Sequence, residues 1–263
     1  MKNLLQIIKL LVIFVLALAL AAAFSYSGMK VFNYWKQGRQ SEEMTQHLID
    51  QGVTQRPEQP APAQKEPEPP EYAPVSVDFQ ALHEESEDIV AWLYGPDTLL
   101  DYPVAQSGDN EYYLRRLLNG RWNVGGTIFQ DYRCPADYSA WHTLIYGHHM
   151  NNGTMFGTLQ NYKEQAYYDE NPVIYLLTPE KDFKVELIAG FLSDADGEVY
   201  SLPDTRQEKD ALVAYCLSRS DFQTRTQVHT EDRLLTLSTC SDDYNNARYV
   251  LVGVLKELAR DTE

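Results

Sequence analysis

Beyond residue 74 the chain is built from short apolar runs separated by turn formers, and that spacing leaves few folds open. Runs stand at 89–94, 99–105, 126–130, 143–146, 173–177, 184–191, 234–239 and 249–255. Each is short for a helix, and Gly, Pro, Asn, Asp and Ser cluster between them, which is the pattern of strands and turns. About eight such strands at short spacing predict a mainly β domain, a barrel or a sandwich. Helical interruptions are expected at 79–88, 112–118, 155–162 and 207–217. The 263 residues leave room for one or two domains, and 44% apolar content suits a globular core.

The N-terminus is not part of that core. Residues 10–24 are unbroken apolar, extended backward by Leu4, Leu5, Ile7 and Ile8 across Lys9. From residue 4 to 24 the run has about the length that a helix needs to cross a ~30 Å hydrocarbon layer. Residues 1–39 therefore read as a membrane anchor with a basic juxtamembrane stretch, with Tyr26, Tyr34 and Trp35 as an interfacial aromatic belt. A cleavable signal peptide ending near Ala21-Ala22-Ala23 is the competing reading. Basic residues flank the run on both sides, so charge does not fix its orientation. Residues 40–74 read as a polar, Pro-rich linker whose first part, 40–51, can continue as a short helix. Residues 56–74 hold seven of the chain's 13 prolines, an extended spacer spanning roughly 60 Å at ~3.1 Å per residue. The folded domain is then 75–263.

Charge narrows the partners. Five Lys+Arg and no acid fall in residues 1–39, leaving 17 basic against 38 acidic residues, a formal −21. Such a domain is no partner for nucleic acid. The three cysteines, Cys134, Cys216 and Cys240, and the six histidines show no metal-ligand spacing, so neither a metal nor a cofactor is expected. A Cys134–Cys216 disulfide is arithmetically open, although Cys216 falls in a helix-like run and reads as a core residue. Asn152-Gly153-Thr154 has the form of a glycosylation sequon and reads as a turn.

Chemistry concentrates at two strand ends. Leu234-Leu235-Thr236-Leu237-Ser238-Thr239-Cys240 is an alternating strand ending on a cysteine. A polar connection (Ser241, Asp242, Asp243, Asn245, Asn246) leads to Arg248 and the next apolar run. The two runs describe an antiparallel hairpin that makes Cys240 and Arg248 cross-strand neighbours. A permanent cation beside a thiol favours the reactive thiolate; a buried structural cysteine is the alternative. Trp141-His142-Thr143-Leu144-Ile145-Tyr146-Gly147-His148-His149 is a second strand that runs out at a glycine and a histidine. Cysteine, histidine and arginine together make a complete acyl-transfer set. Their order, His148 before Cys240, is the reverse of papain-type proteases.

These residues resemble the class B sortases. Thr236-Leu237-Ser238-Thr239-Cys240 with Arg248, and Leu144-Ile145-Tyr146-Gly147-His148, carry the likeness. Further matches run from about residue 88 to 255: Ala91-Trp92-Leu93-Tyr94, Asp101-Tyr102-Pro103-Val104, Asp109-Asn110-Glu111-Tyr112-Tyr113-Leu114, Gly126-Thr127-Ile128-Phe129-Gln130-Asp131-Tyr132-Arg133, Gly153-Thr154-Met155-Phe156 and Arg219-Ser220-Asp221-Phe222.

The resemblance implies an eight-stranded mixed β-barrel with accessory helices, working outside a Gram-positive-type cell. It implies a cysteine transpeptidase in which Cys240 attacks the sorting motif of a secreted surface protein and forms a thioacyl-enzyme. A peptidoglycan-precursor amine then resolves that intermediate. It selects His148, directly after glycine, over His149 as acid and base, and gives Arg248 the oxyanion. For peptide binding it points to Asn110, Leu114, Tyr146 and Ser238, with Tyr200 on a loop that closes over the peptide; core packing is the other reading for Leu114 and Tyr146. Some class B members carry an acid directly after the cysteine; here that position is Ser241, so no carboxylate-oriented triad is expected. A hydrolytic cysteine peptidase, a pilin-polymerising sortase and a catalytically silent wall-binding module are the alternatives.

Overall fold

The computed structural model describes residues 2–57 and 71–260. Most of the expected Pro-rich spacer, residues 58–70, lies outside the described residues. The chain opens with a 51-residue helix, α1 (Lys2–Gly52). It continues through β1 (Val53–Gln55), β2 (Val75–Val77), α2 (Phe79–Glu85), β3 (Ile89–Tyr94), β4 (Asp101–Ala105), β5 (Phe129–Gln130), β6 (His142–Tyr146) and α3 (Gln165–Glu170). Then follow β7 (Val173–Leu177), β8 (Asp182–Asp194), α4 (Arg206–Arg219), β9 (Arg233–Cys240) and β10 (Ala247–Glu257). Single turns of 3₁₀ helix stand at Tyr112–Arg115, Leu159–Lys163 and Glu198–Tyr200.

Eight strands close into a barrel in the order β10-β8-β7-β3-β4-β5-β6-β9, with β9 returning to β10. The pairings β4–β5 and β6–β9 are parallel and the others antiparallel, so the barrel is mixed as expected. All eight expected runs supply its strands, and β3 and β7 keep the expected limits. The run expected from residue 126 is ordered as strand only at Phe129–Gln130.

Alternation along β9 and β10 sorts the side chains to two faces. Leu235, Leu237, Tyr249 and Leu251 join the main core with Ala91, Leu93, Ile145, Leu176 and Val185. Leu234, Val250, Val252 and Val254 face the other way and pack under α4 with Leu212, Val213 and Cys216. The helix α4 starts on a capping box, Thr205 with Glu208, which satisfies two of its first amides. A third cluster seats α1 and α2 on the outer side of β3 and β7 through Leu48, Phe79, Leu82, Trp92 and Leu177.

Three features settle what the sequence left open or gave no sign of. The α1 helix does not stop at residue 39: no proline occurs before Pro57, and Leu48, fully buried, is part of the barrel's packing. Residues 53–55 pair with 75–77, so the chain on either side of the spacer is held together beside the barrel. Cys134 and Cys216 are separate free thiols, both buried. Burial pushes the Cys216 thiol up to about 12, which keeps it protonated. The expected turn at Asn152-Gly153-Thr154 is present, closed by the Thr154 hydroxyl and amide on the Asn152 side chain.

His142, at the start of β6, ties three segments together. Its Nδ1 lies 2.8 Å from the Ser201 carbonyl and its Nε2 2.8 Å from the Thr236 hydroxyl. With Nδ1–H donating to the carbonyl, Nε2 accepts from the hydroxyl, which is the neutral tautomer. Complete burial holds its pKa down to about 4 against an ordinary value of 6.5. Above 6.5 the ring is neutral in both folded and unfolded chains. As the pH falls from 6.5 toward 4 the unfolded chain takes up the proton first, and stability is lost by up to about 1.4 kcal/mol per pH unit. Denaturation of wild type and His142→Asn across this window should show a steeper acid loss in wild type; parallel curves would contradict the assignment.

Candidate active site

Strands β6, β9 and β10 lie side by side, with β9 in the middle. On the parallel side Tyr146 pairs with Ser238, and the Gly147 amide donates to the Ser238 carbonyl at 3.1 Å. His148 and Cys240 each follow two residues past that pair, so they leave adjacent parallel strands at the same end of the barrel. On the antiparallel side Cys240 pairs directly with Arg248. Paired residues project to one face. Here it is the outer face, which α4 covers lower down and leaves open at this end. A cleft of about 310 Å³ occupies the opening. All eight candidate residues line it: Asn110, Leu114, Tyr146, His148, Tyr200, Ser238, Cys240 and Arg248. His149 does not; it bridges to Met155 behind the wall.

Local sequence fixes the histidine. A Cβ on Gly147 would stand 2.6 Å from the Phe156 ring, so only glycine lets the chain turn here. The His148 Nε2 is 2.7 Å from the Leu114 carbonyl. Burial is the main cause that lowers its pKa, and the Arg115 cation adds to the effect, while the carbonyl opposes it. The ring is thus neutral at pH 7, with Nε2–H donating to Leu114 and Nδ1 left as its acceptor. The carbonyl in turn depends on Gly126, which has φ +57° and whose Cβ would lie 2.6 Å from the Leu114 oxygen. No role for this glycine follows from the sequence reading, although a Gly125-Gly126 pair before a short strand was its signal.

The floor of the cleft is a polar network. Asp131 is fully buried and takes two bonds from the Arg133 side chain, at 2.9 and 2.7 Å, and one from the Tyr146 hydroxyl at 2.9 Å. Burial works against its charge, but Arg133, Tyr146 and Asn110 together hold the carboxyl below its usual value. Asn110 also accepts from the Tyr132 amide. The Tyr146 ring stacks with Tyr200, centroids 6.4 Å apart, and the Tyr200 hydroxyl lies 2.8 Å from that of Ser238. Burial pushes Tyr200 up to about 12, so it remains a phenol. Sequence reasoning gave no part to Asp131 and Arg133, an acid and a base two residues apart at a strand end.

Cys240 is exposed at the end of β9. Arg248 is half-buried and bonds the Asn246 and Ala247 carbonyls through one nitrogen, at 3.3 and 3.0 Å. In the connecting turn Asp243 is engaged away from the histidine. Asp243 takes Lys163 at 2.6 Å and the Ser241 hydroxyl. A backbone carbonyl, not a carboxylate, therefore orients His148. A thiol, a neutral imidazole and a guanidinium converge on one groove, a set of groups able to perform acyl transfer.

No protein-family model matches the chain. Among curated proteins it is similar to Sortase B of Listeria monocytogenes serovar 1/2a, 32% identical over 182 residues that cover 68% of this chain and 74% of the relative. The barrel is similar to a Staphylococcus aureus sortase B–substrate complex, with TM-score 0.65 and 26% identity over 69% of this chain and 85% of that one. It is equally similar to a sortase B complexed with triglycine, with TM-score 0.65 and 26% identity over 69% and 86%. Sequence and fold agree, and the chain belongs to the class B sortases: it is a cysteine transpeptidase.

Proposed function

We propose that Cys240, His148 and Arg248 carry the reaction, and that the cleft they share binds the sorting motif of a secreted surface protein. The observation that supports this reading is the pairing of β6, β9 and β10, which brings the ends of three strands to one groove. As the Cys240 sulfur bonds to the scissile carbonyl carbon, its proton passes to His148. The carbonyl oxygen gains negative charge beside Arg248, whose planar fork suits an oxyanion. His148 then gives its proton to the departing amine nitrogen as the C–N bond breaks, leaving a thioester. An incoming amine loses its proton to the same imidazole, attacks the thioester and restores the thiol.

Asn110, Leu114, Tyr146, Ser238 and Tyr200 hold the peptide in this reading, and a peptidoglycan-precursor amine accepts it. The substrate and triglycine complexes of sortase B relatives support both ends of the transfer. α1 is long and apolar enough to cross a membrane. We read its first part, residues 1–39, as a single-pass anchor that holds the catalytic domain, 75–263, outside the cell. Residues 40–74 join the two, with 40–57 packed against the barrel.

Two variant series test the assignment. His148→Ala should lose peptide cleavage by several orders of magnitude and His149→Ala by far less, because only His148 faces the cleft; reversed penalties would contradict the register. Arg248→Ala should lower kcat about 10²–10³-fold, the usual loss for an oxyanion donor. Arg248→Lys keeps the charge but not the fork and should remain badly impaired. Steady-state kinetics within a few-fold of wild type for the lysine variant would remove the oxyanion role.

A further inference from the structure

One loop of the catalytic domain runs against the domain's charge. Past residue 39 acids outnumber bases by 38 to 17, yet 114–130 holds Arg115, Arg116 and Arg121 and no acid. None of the three forms an ion pair among the described residues. Arg115 bonds the Val124 carbonyl, while Arg116 bonds the Gly120 carbonyl at 3.3 Å and lies over the Tyr112 ring. Beside them Trp122 is 58% exposed, more than any other large apolar side chain outside α1 among the described residues.

The same loop touches α1. Asn123 donates to the Gln37 carbonyl at 2.8 Å, and the Val124 amide to the Gln37 side chain at 3.1 Å. α1 is exposed from residue 6 to 36, and its Gln37, Ser41, Met44, Thr45 and Leu48 face is covered only from there on. Lys9 and Lys30 bracket twenty uncharged residues, 10–29, about 30 Å of helix and the thickness of a hydrocarbon layer. That places the span a turn and a half later than the apolar run alone suggests. Exposed Phe32, Tyr34 and Trp35 then fall at headgroup level, where aromatic rings favour the interface. Gln37 lies roughly 12 Å past residue 29 along the axis. Headgroups reach about 5–8 Å beyond the hydrocarbon, and a Debye length of ~8 Å together with an arginine side chain bridges the remainder.

We propose that Arg116, Arg121 and Trp122, flanked by Arg115, form a membrane-docking surface for the anionic phospholipid headgroups of the bilayer that α1 spans. The arginines meet lipid phosphates and the indole enters the interface, each basic residue there contributing about fivefold to the docked population. Lys30 and Lys36 extend the same charge along α1, while Arg39 pairs with Glu43. This loop also carries the Leu114 carbonyl that holds His148, so docking fixes the position of the cleft over the bilayer. The proposal rests on reading α1 as an anchor.

The test uses the full chain in phosphatidylglycerol vesicles containing acyl-chain-brominated lipid, which quenches nearby tryptophans. Subtracting the emission of Trp122→Phe and of Trp35→Phe from wild type isolates the two reporters. Both should be quenched. Quenching of Trp122 should fall severalfold in Arg116→Gln/Arg121→Gln and in phosphatidylcholine vesicles, with Trp35 unchanged. The double variant should cleave a soluble peptide in detergent at the wild-type rate, which shows an intact fold. Quenched Trp35 with unquenched Trp122 overturns the docking and leaves the anchor standing. Protein that does not float with vesicles, with Trp35 unquenched, overturns the anchor and the docking with it. Arginine-dependent binding to sodium polyphosphate, with Trp122 insensitive to lipid charge, would assign the patch to a wall polyanion and equally overturn the proposal.

Discussion

The parallel pairing of β6 with β9 is the contact on which the cleft depends. Nothing local brings His148 to Cys240, since β7, β8, α3 and α4 lie between them in the chain. They meet because closure of the barrel sets Tyr146 opposite Ser238 and lets both strands end together. Register is fixed from the inside. Ile145 and Leu237 are paired core residues, and a slip of one position would expose them and turn Cys240 inward. His142 reinforces the same register from the outer face, by joining Thr236 of β9 to Ser201 beside Tyr200. Barrel stability and the geometry of the groove are in this sense one property.

Charge in the cleft follows burial. The fully buried carboxylate of Asp131 is matched by a two-point bond from Arg133, the arrangement that makes a buried charge tolerable. It supports Tyr146 rather than the imidazole. His148 is left with a carbonyl partner and an adjacent cation, and both its burial and Arg115 favour the neutral ring. A carboxylate at that position would raise its pKa and hold imidazolium instead. Ser241, directly after the cysteine, fits this balance, because Ser241 and Asp243 are turned toward Gln160 and Lys163.

Much of this was legible in the residues. The alternation of Leu234 to Thr239 and the apolar run from Tyr249 to Leu255, with a polar turn between, are enough to predict the hairpin and the pairing of Cys240 with Arg248. The eight barrel strands follow from short apolar runs bounded by turn formers. What escaped the sequence depends on distant partners or on backbone. The β1–β2 ribbon is too short to leave a pattern, and the continuity of α1 through 25–39 is masked by mixed composition. The bond from Tyr146 to Asp131 joins residues 15 apart in the chain, and the placement of the Leu114 carbonyl on His148 goes with a close approach at Gly126. Tyr200 reaches the cleft on a loop that His142 holds at Ser201, and the sequence neighbours of His142 say nothing of Ser201.

The most direct measurement is the intact mass of the protein during turnover of a sorting-motif peptide. The mechanism predicts a covalent adduct that equals the peptide less its C-terminal fragment and maps to Cys240. Added triglycine should discharge it into a longer peptide carrying the glycine amine in amide linkage. Turnover with no adduct on Cys240 under any trapping condition, or full turnover by Cys240→Ala, would contradict it.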